Sequence, residues 1–336
     1  MRIAVDAMGG DLAPEAPVQG AIAAVERDPE VEVLLVGPPD RIGALLGPWS
    51  AHPRIGVRPA DEAIGMNEPP VAAVRRKPNS SMVQAVRAVK EGQAAAAISA
   101  GNTGALMAAG LLWIGRIQGV ERPALTAILP SMVQWGVLVL DVGANMDPKP
   151  IHLVQYAVMG ALYCEEALNL AQPRVGLLNV GEEAGKGPPA IQEVHRRLSE
   201  SGLRFVGNVE ARELLQGKAD VVVCEGFVGN VVLKLTEGLA RDFLGEIRAI
   251  ASRTVWTRWA GWVLRPGLRR MFERLDYQAY GGAPLLGLDG IVYKCHGSSE
   301  ARAFAAAITV AHNFARKAAY ERIRARLGQA QEGLGW

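Results

Sequence analysis

The sequence predicts an α/β fold: a three-layer αβα sandwich around a mostly parallel sheet, with a helical hairpin projecting from it. Three observations carry that prediction. Short runs rich in Val, Ile and Leu alternate with longer helical patterns along the 336 residues. Several runs, such as VLVLDVG at 137–143 and VVVCEG at 221–226, are apolar without alternation, as strands covered on both faces are. One stretch, 246–273, contains no strand-like run at all.

Strands are expected at 2–5, 31–36, 94–99, 124–129, 137–142, 174–180, 204–206, 221–224 and 290–295. The helical patterns between them imply right-handed crossovers and a layer of helices on each face. A final helix is expected to run from about the serines at 298–299 to 326. No internal repeat, low-complexity linker or clean boundary interrupts the chain, so 1–336 is read as one α/β domain. The stretch 246–273 is read as a hairpin within it. It holds six arginines (248, 253, 258, 265, 269 and 270) and three of the seven tryptophans, and Pro266-Gly267 is expected to break its helix.

Composition excludes several function classes. Hydrophobic residues are 49% and charged residues 21%, ordinary for a folded enzyme. A net charge of +2, with no zinc-type spacing or recognition helix, argues against nucleic acid. Three widely spaced cysteines and an N-terminus that runs straight into a strand fit a reducing cytoplasm. No apolar run reaches the ~20 residues of a spanning helix. There is no G-x-S-x-G elbow, no H-E-x-x-H and no dinucleotide or P-loop fingerprint, so no metal or cofactor is expected.

Ligands of open parallel sheets gather at the carboxyl ends of strands. Here those ends carry the unusual sequence. Asp6-Ala7-Met8-Gly9-Gly10-Asp11 follows the first strand and reads either as a capped tight turn or as a ligand loop. Gly101-Asn102-Thr103-Gly104 opens a helix expected over 105–114, where free N–H groups can cap the helix or cradle an anion. Asp141 and Asn145 end one buried strand, and Asn179 ends the next. After Asn179 comes Gly181-Glu182-Glu183-Ala184-Gly185-Lys186-Gly187, a lone cation flanked by glycines, suited to a phosphate or a developing oxyanion or else a solvated loop. Asn230 opens the helix after VVVC. His296-Gly297-Ser298-Ser299 opens the last helix, where the serines serve as N-caps, as phosphate ligands, or as both. Arg75-Arg76-Lys77 is a basic turn, read as a solvated face or an anion recruiter. Cys164 and Cys224 read as core, and Cys295 is the one thiol to test as a nucleophile.

Taken together, DAMGGDLAPE, RRKPNSSM, SAGNTGALMAAG, LDVGANMDPKPIHLVQYAVMG, VGLLNVGEEAGKG, GFVGNVVLKLTEGLA, DYQAYGGAPLLGLDG and CHGSSEARAF resemble the bacterial phosphate acyltransferase family, the acyl-ACP:phosphate transacylases, from Met1 to about Ala319. The resemblance implies a fold related to phosphotransacetylases and isocitrate-type dehydrogenases, and a homodimer. It implies transfer of a fatty acyl group from acyl carrier protein (ACP) to inorganic phosphate, as an entry step to phospholipid synthesis. Glu225 stands where the family motif suggests aspartate, and the hairpin sequence is its own.

Such a reaction needs no triad or metal. Phosphate is already anionic and a pantetheine thiolate leaves readily, so positioning and oxyanion stabilisation suffice. On that reading Lys186 stabilises phosphate or the oxyanion and Asn230 orients the carbonyl. Gly101–Gly104 and Gly297–Ser299 hold phosphate, helped by Asp141, Asn145 and Asn179, with direct transfer rather than an acyl-enzyme. All these loops are expected at one rim of the sheet. Trp256, Trp259 and Trp262, with Arg258 and Arg265, are read as a membrane or carrier contact, the alternative being a core or dimer contact for the tryptophans. The expected location is cytoplasmic, peripheral at the inner face of the membrane, beside a membrane-bound glycerol-phosphate acyltransferase. Rival readings are a short-chain acyl-CoA phosphotransacetylase, a nicotinamide-dependent dehydrogenase and a non-catalytic membrane scaffold.

Overall fold

The computed structural model describes residues 1–131, 136–275 and 281–334. Among the described residues eleven strands form one continuous sheet: β1 (Arg2–Asp6), β2 (Glu32–Gly37), β3 (Ile55–Pro59), β4 (Ala96–Ser99), β5 (Ala124–Leu129), β6 (Val137–Leu140), β7 (Val175–Asn179), β8 (Phe205–Glu210), β9 (Val221–Val223), β10 (Ala283–Leu286) and β11 (Ile291–Lys294). Their order across the sheet is β3-β2-β1-β4-β11-β10-β5-β6-β9-β7-β8. The helices are α1 (Glu15–Arg27), α2 (Pro39–Leu46), α3 (Pro70–Arg76), α4 (Ser81–Lys90), α5 (Thr103–Ala109), α6 (Pro150–Leu168), α7 (Pro189–Ser199), α8 (Gly226–Ser252), α9 (Val255–Leu275), α10 (Ala301–Arg316) and α11 (Ala319–Leu334).

The apolar runs are strands covered on both faces. Ile3, Val5, Leu138, Leu140, Val221 and Val223 join the core beneath α1, α6, α10 and α11. The intervening Ala4, Val137, Val139 and Val222 join the opposite core, beneath α4 and α5. Alternate residues of one strand thus feed two layers, which is why no polar alternation is visible.

Most neighbours pair in parallel, but β10 pairs antiparallel with both β11 and β5, and β5 with β6. These reversals make the two halves of the sheet run in opposite directions. The expectation of a single rim is therefore corrected: the turns after β1, β4 and β11 leave one end, and those after β6, β7 and β9 the other. Register still brings two of the groups together. Lys294, the last residue of β11, faces Ala283, and Leu140, the last of β6, faces Thr126, whose hydroxyl donates to the Pro284 carbonyl at 3.1 Å. The strand ends of the two halves therefore meet near mid-sheet instead of lying a full strand length apart.

Elsewhere the helix at 103 passes into a π-helical turn over Gly110–Ile114. The expected final helix is two, broken at Ala318, which adopts φ +50°. The stretch 246–273 is helical and turns at Arg253-Thr254 between α8 and α9. The helix does not break at Pro266: α9 continues through it, one backbone donor short. Among the described residues no helix is long and apolar enough to cross a membrane.

Candidate functional site

The turns of the first half-sheet lock to one another before any of them reaches a ligand. Ser99 Oγ donates to Asp6 Oδ2 at 2.6 Å, Met8 N donates to Asp6 Oδ1 at 3.1 Å, and Gly101 N donates to Ser99 Oγ at 3.0 Å. Asp11 N donates to the Gly297 carbonyl at 2.8 Å, tying the β1 turn to the β11 turn. Burial pushes the Asp6 carboxyl above the usual range, against the pull of these donors. Asn102 caps α5: its Oδ1 accepts from Ala105 N at 3.0 Å while its Nδ2 donates to the Met66 carbonyl at 2.8 Å. Gly101 packs on Met82 and Gly104 on Pro70, so both glycines serve close approach.

The second half-sheet builds its turn around Asp141, which is fully buried. Its carboxylate accepts from the backbone N–H groups of Leu125, Gly143, Ala144 and Asn145 and from Asn145 Nδ2, at 2.6–3.2 Å. Burial raises its pKa; these donors oppose that. The start of α8 presses onto this turn. Gly226 N donates to the Asn145 carbonyl at 2.8 Å, and a Cβ on Gly229 would overlap the Asp141 carbonyl oxygen. Only glycine allows that approach, and it sets Asn230 beside Gly143.

Between the two sets of turns lies a cavity of about 280 Å³. Thr103, Gly143, Asn230, Lys234, Glu237, Lys294, His296 and Ser299 line it, with Leu125, Ile128, Val142 and Leu233 as apolar walls. A polar chain joins α8 to the β11 turn. Lys234 Nζ lies 3.1 Å from Glu237 Oε2 and 3.0 Å from His296 Nε2, and His296 Nδ1 lies 2.8 Å from Ser298 Oγ. Desolvation, then the Lys234 charge, lowers the His296 pKa, favouring neutral imidazole. Cys295 also lines the cavity, but burial pushes its thiol up to about 12, away from a reactive thiolate.

The structure thus brings Thr103, Asn230 and Ser299 together in one cavity. Gly101, Asn102, Gly104, Asp141, Asn145 and Gly297 stand behind it as the framework of its turns, and Ser298 is exposed at its edge. Lys186 and Asn179 lie elsewhere, at the end of β7. Asn179 Nδ2 donates to the Lys186 carbonyl at 3.0 Å and its side chain borders a separate groove of about 920 Å³ beside α7 and the start of α8. The Lys186 side chain is 52% exposed, its Nζ 4.0 Å from Glu183. Sequence reasoning missed Lys234, Glu237 and Lys294. The first two form an i, i+3 pair on α8, a spacing common on solvated helix faces. Lys294 did carry a signal, as the one cation inside the apolar run IVYKC. On the hairpin, Trp256, Trp259 and Trp262 are 82%, 65% and 71% exposed, and Arg258 and Arg265 are exposed with them.

Comparison with known proteins agrees with this architecture. Residues 1–322 match a family model described as fatty acid synthesis protein. A phosphate acyltransferase of Brevibacillus brevis is 52% identical, over 94% of this chain and 93% of its own. One from Desulfitobacterium hafniense is 49% identical over 97% of each. Among solved structures, a phosphotransacetylase from Streptococcus pyogenes superposes with a TM-score of 0.62 over 94% of both chains at 18% identity, a likeness of fold.

Proposed function

The chain belongs to the fatty acid synthesis protein family, and on that premise we propose that it moves a fatty acyl group from ACP to inorganic phosphate, giving an acyl phosphate. The observation that carries the reading is the mid-sheet cavity, which sets amide, hydroxyl and ammonium groups beside apolar walls. Phosphate takes the polar end, and the first carbons of the acyl chain take the walls. A phosphate oxygen attacks the thioester carbon, the carbon–sulfur pair leaves on sulfur, and the proton of hydrogenphosphate passes to the thiolate or to water. Asn230 orients the carbonyl, and Thr103 and Ser299 offer hydroxyls to phosphate. Cys295 held as a neutral thiol supports direct transfer over an acyl-enzyme on that residue, and acyl-enzyme trapped on Cys295 would refute it. We assign Lys186 the oxyanion role, its exposed side chain reaching the donor from a loop whose backbone Asn179 and Gln192 hold in place.

A phosphate-dependent assay for acyl phosphate from purified acyl-ACP tests the reading. Turnover with acetyl-CoA but not acyl-ACP would favour the short-chain phosphotransacetylase instead, the alternative that the shared fold keeps open.

A second copy of the chain is the proposed partner for α8, because Phe227, Val231, Leu235 and Leu239 expose an apolar stripe at four-residue spacing. The hairpin is the proposed peripheral membrane contact at the cytoplasmic face, placing the labile product near a glycerol-phosphate acyltransferase. Exposed tryptophans among arginines support that, as does Val255, 70% exposed. Replacing Trp256, Trp259 and Trp262 together by Ala should abolish flotation with anionic liposomes while the soluble assay is retained; equal flotation would return the face to carrier docking.

A further inference from the structure

We propose that Lys294 is the phosphate-binding cation of the cavity, the fixed charge against which the acceptor phosphate docks. This rests on the acyl-to-phosphate reading above and adds the residue that holds the acceptor.

Lys294 ends an interior strand and is 8% exposed, yet it opens onto the cavity. A buried ammonium is costly unless an anion accompanies it. Its Nζ donates to the Ala100 carbonyl at 3.2 Å and to the Cys295 carbonyl, both neutral. Among the described residues no carboxylate stands within 4.0 Å of it. Asp6, buried nearby, is engaged by Ser99 and Met8. Two of three ammonium donors therefore fix the side chain, and the third is left for a ligand.

The other cation of the cavity differs on each count. Lys234 is 55% exposed and has Glu237 at 3.1 Å. Of the two lysines that line the cavity among the described residues, only Lys294 is buried with no carboxylate within 4.0 Å; Asp6 and Asp11 act on it from farther away. Thr103, Asn230 and Ser299 line the same space and can donate to the remaining oxygens of a tetrahedral anion. The chemistry recognised is a phosphoryl dianion, which could be free phosphate or the phosphopantetheine phosphate of the donor. We assign free phosphate, because the attacking oxygen must sit inside the cavity with the carbonyl, whereas the pantetheine phosphate lies at the far end of a long arm.

Steady-state kinetics of the full chain with Lys294→Met and Lys294→Arg test this. Loss of one charge-assisted contact should raise the KM for phosphate at least about tenfold in Lys294→Met while the KM for acyl-ACP stays within about twofold, and Lys294→Arg should recover part of the loss. Phosphate should also raise the melting temperature of wild type and not of Lys294→Met. Removing an unaccompanied buried charge should leave the unliganded variant at least as stable as wild type, which separates lost binding from misfolding. An unchanged phosphate KM overturns the proposal, and a raised acyl-ACP KM alone assigns the charge to phosphopantetheine and overturns it as well. Should wild type make no acyl phosphate, the functional reading fails, while the phosphate-dependent melting shift still decides the role of Lys294.

Discussion

Lys186 and Lys294 make opposite use of the same side chain. Lys186 sits on a loop of glycines after β7, 52% exposed, with a glutamate at 4.0 Å. Lys294 sits at the end of a buried strand, 8% exposed, held by two carbonyl oxygens. The first has a solvated side chain on a loop whose backbone is tied by Asn179 and Gln192, so water screens its charge until something closes over it. The second is fixed and desolvated, so its charge acts at full strength on whatever enters the cavity. A cation engaged only on closure suits charge that develops in the transition state, and a fixed one suits charge already present in the substrate.

That division gives the two variants different signatures. Lys186→Ala should lower kcat by at least ~10²-fold with little change in the phosphate KM, as expected for a donor used chiefly in the transition state. Near-normal turnover would remove Lys186 from the chemistry and leave the cavity groups to act without it. A raised phosphate KM at unchanged kcat would give both lysines the same task and break the comparison.

The sequence disclosed one of these lysines and gave the other only as a cation inside an apolar run, and the reason is physical. Glycines around a lone cation are conspicuous in a sequence, whereas burial without a counter-ion is a property of the assembled fold. Nine strands could be read because their apolar runs stand out between helices. β3 and β10 could not: Ile55–Pro59 is a short, half-exposed edge strand, and Ala283–Leu286 follows two glycines and contains Pro284, a residue that argues against an interior strand. β10 is one of the two strands that reverse the sheet, so without it every strand end looked as though it faced one rim. The turns themselves were legible. Gly226 and Gly229 were visible as punctuation, but the Asp141 turn they press against, and hence the placement of Asn230, needed the three-dimensional packing.

The pH dependence of phosphate affinity sharpens the contrast further. Desolvation lowers the Lys294 pKa to about 8; Lys234 lowers it too, while Cys295, Asp6 and Asp11 act the other way. Cys295 itself stays a neutral thiol through neutral pH. Below about pH 8 the ammonium is present and phosphate affinity should vary only with phosphate's own ionisation. Above it, binding must first restore the proton, so the phosphate KM should climb by up to ~tenfold per pH unit. Unfolding of this group's making cannot mimic that loss. A lysine near 8 when folded and ~10.4 when unfolded binds fewer protons in the native state across that window, so its contribution to stability rises with pH there. Affinity and stability should therefore move in opposite directions between pH 8 and ~10. Lys294→Arg, charged throughout, should flatten the profile at whatever affinity it retains. A wild-type KM that stays level from pH 7 to 10, with Lys294→Arg indistinguishable from it, would mean the buried ammonium never meets the acceptor.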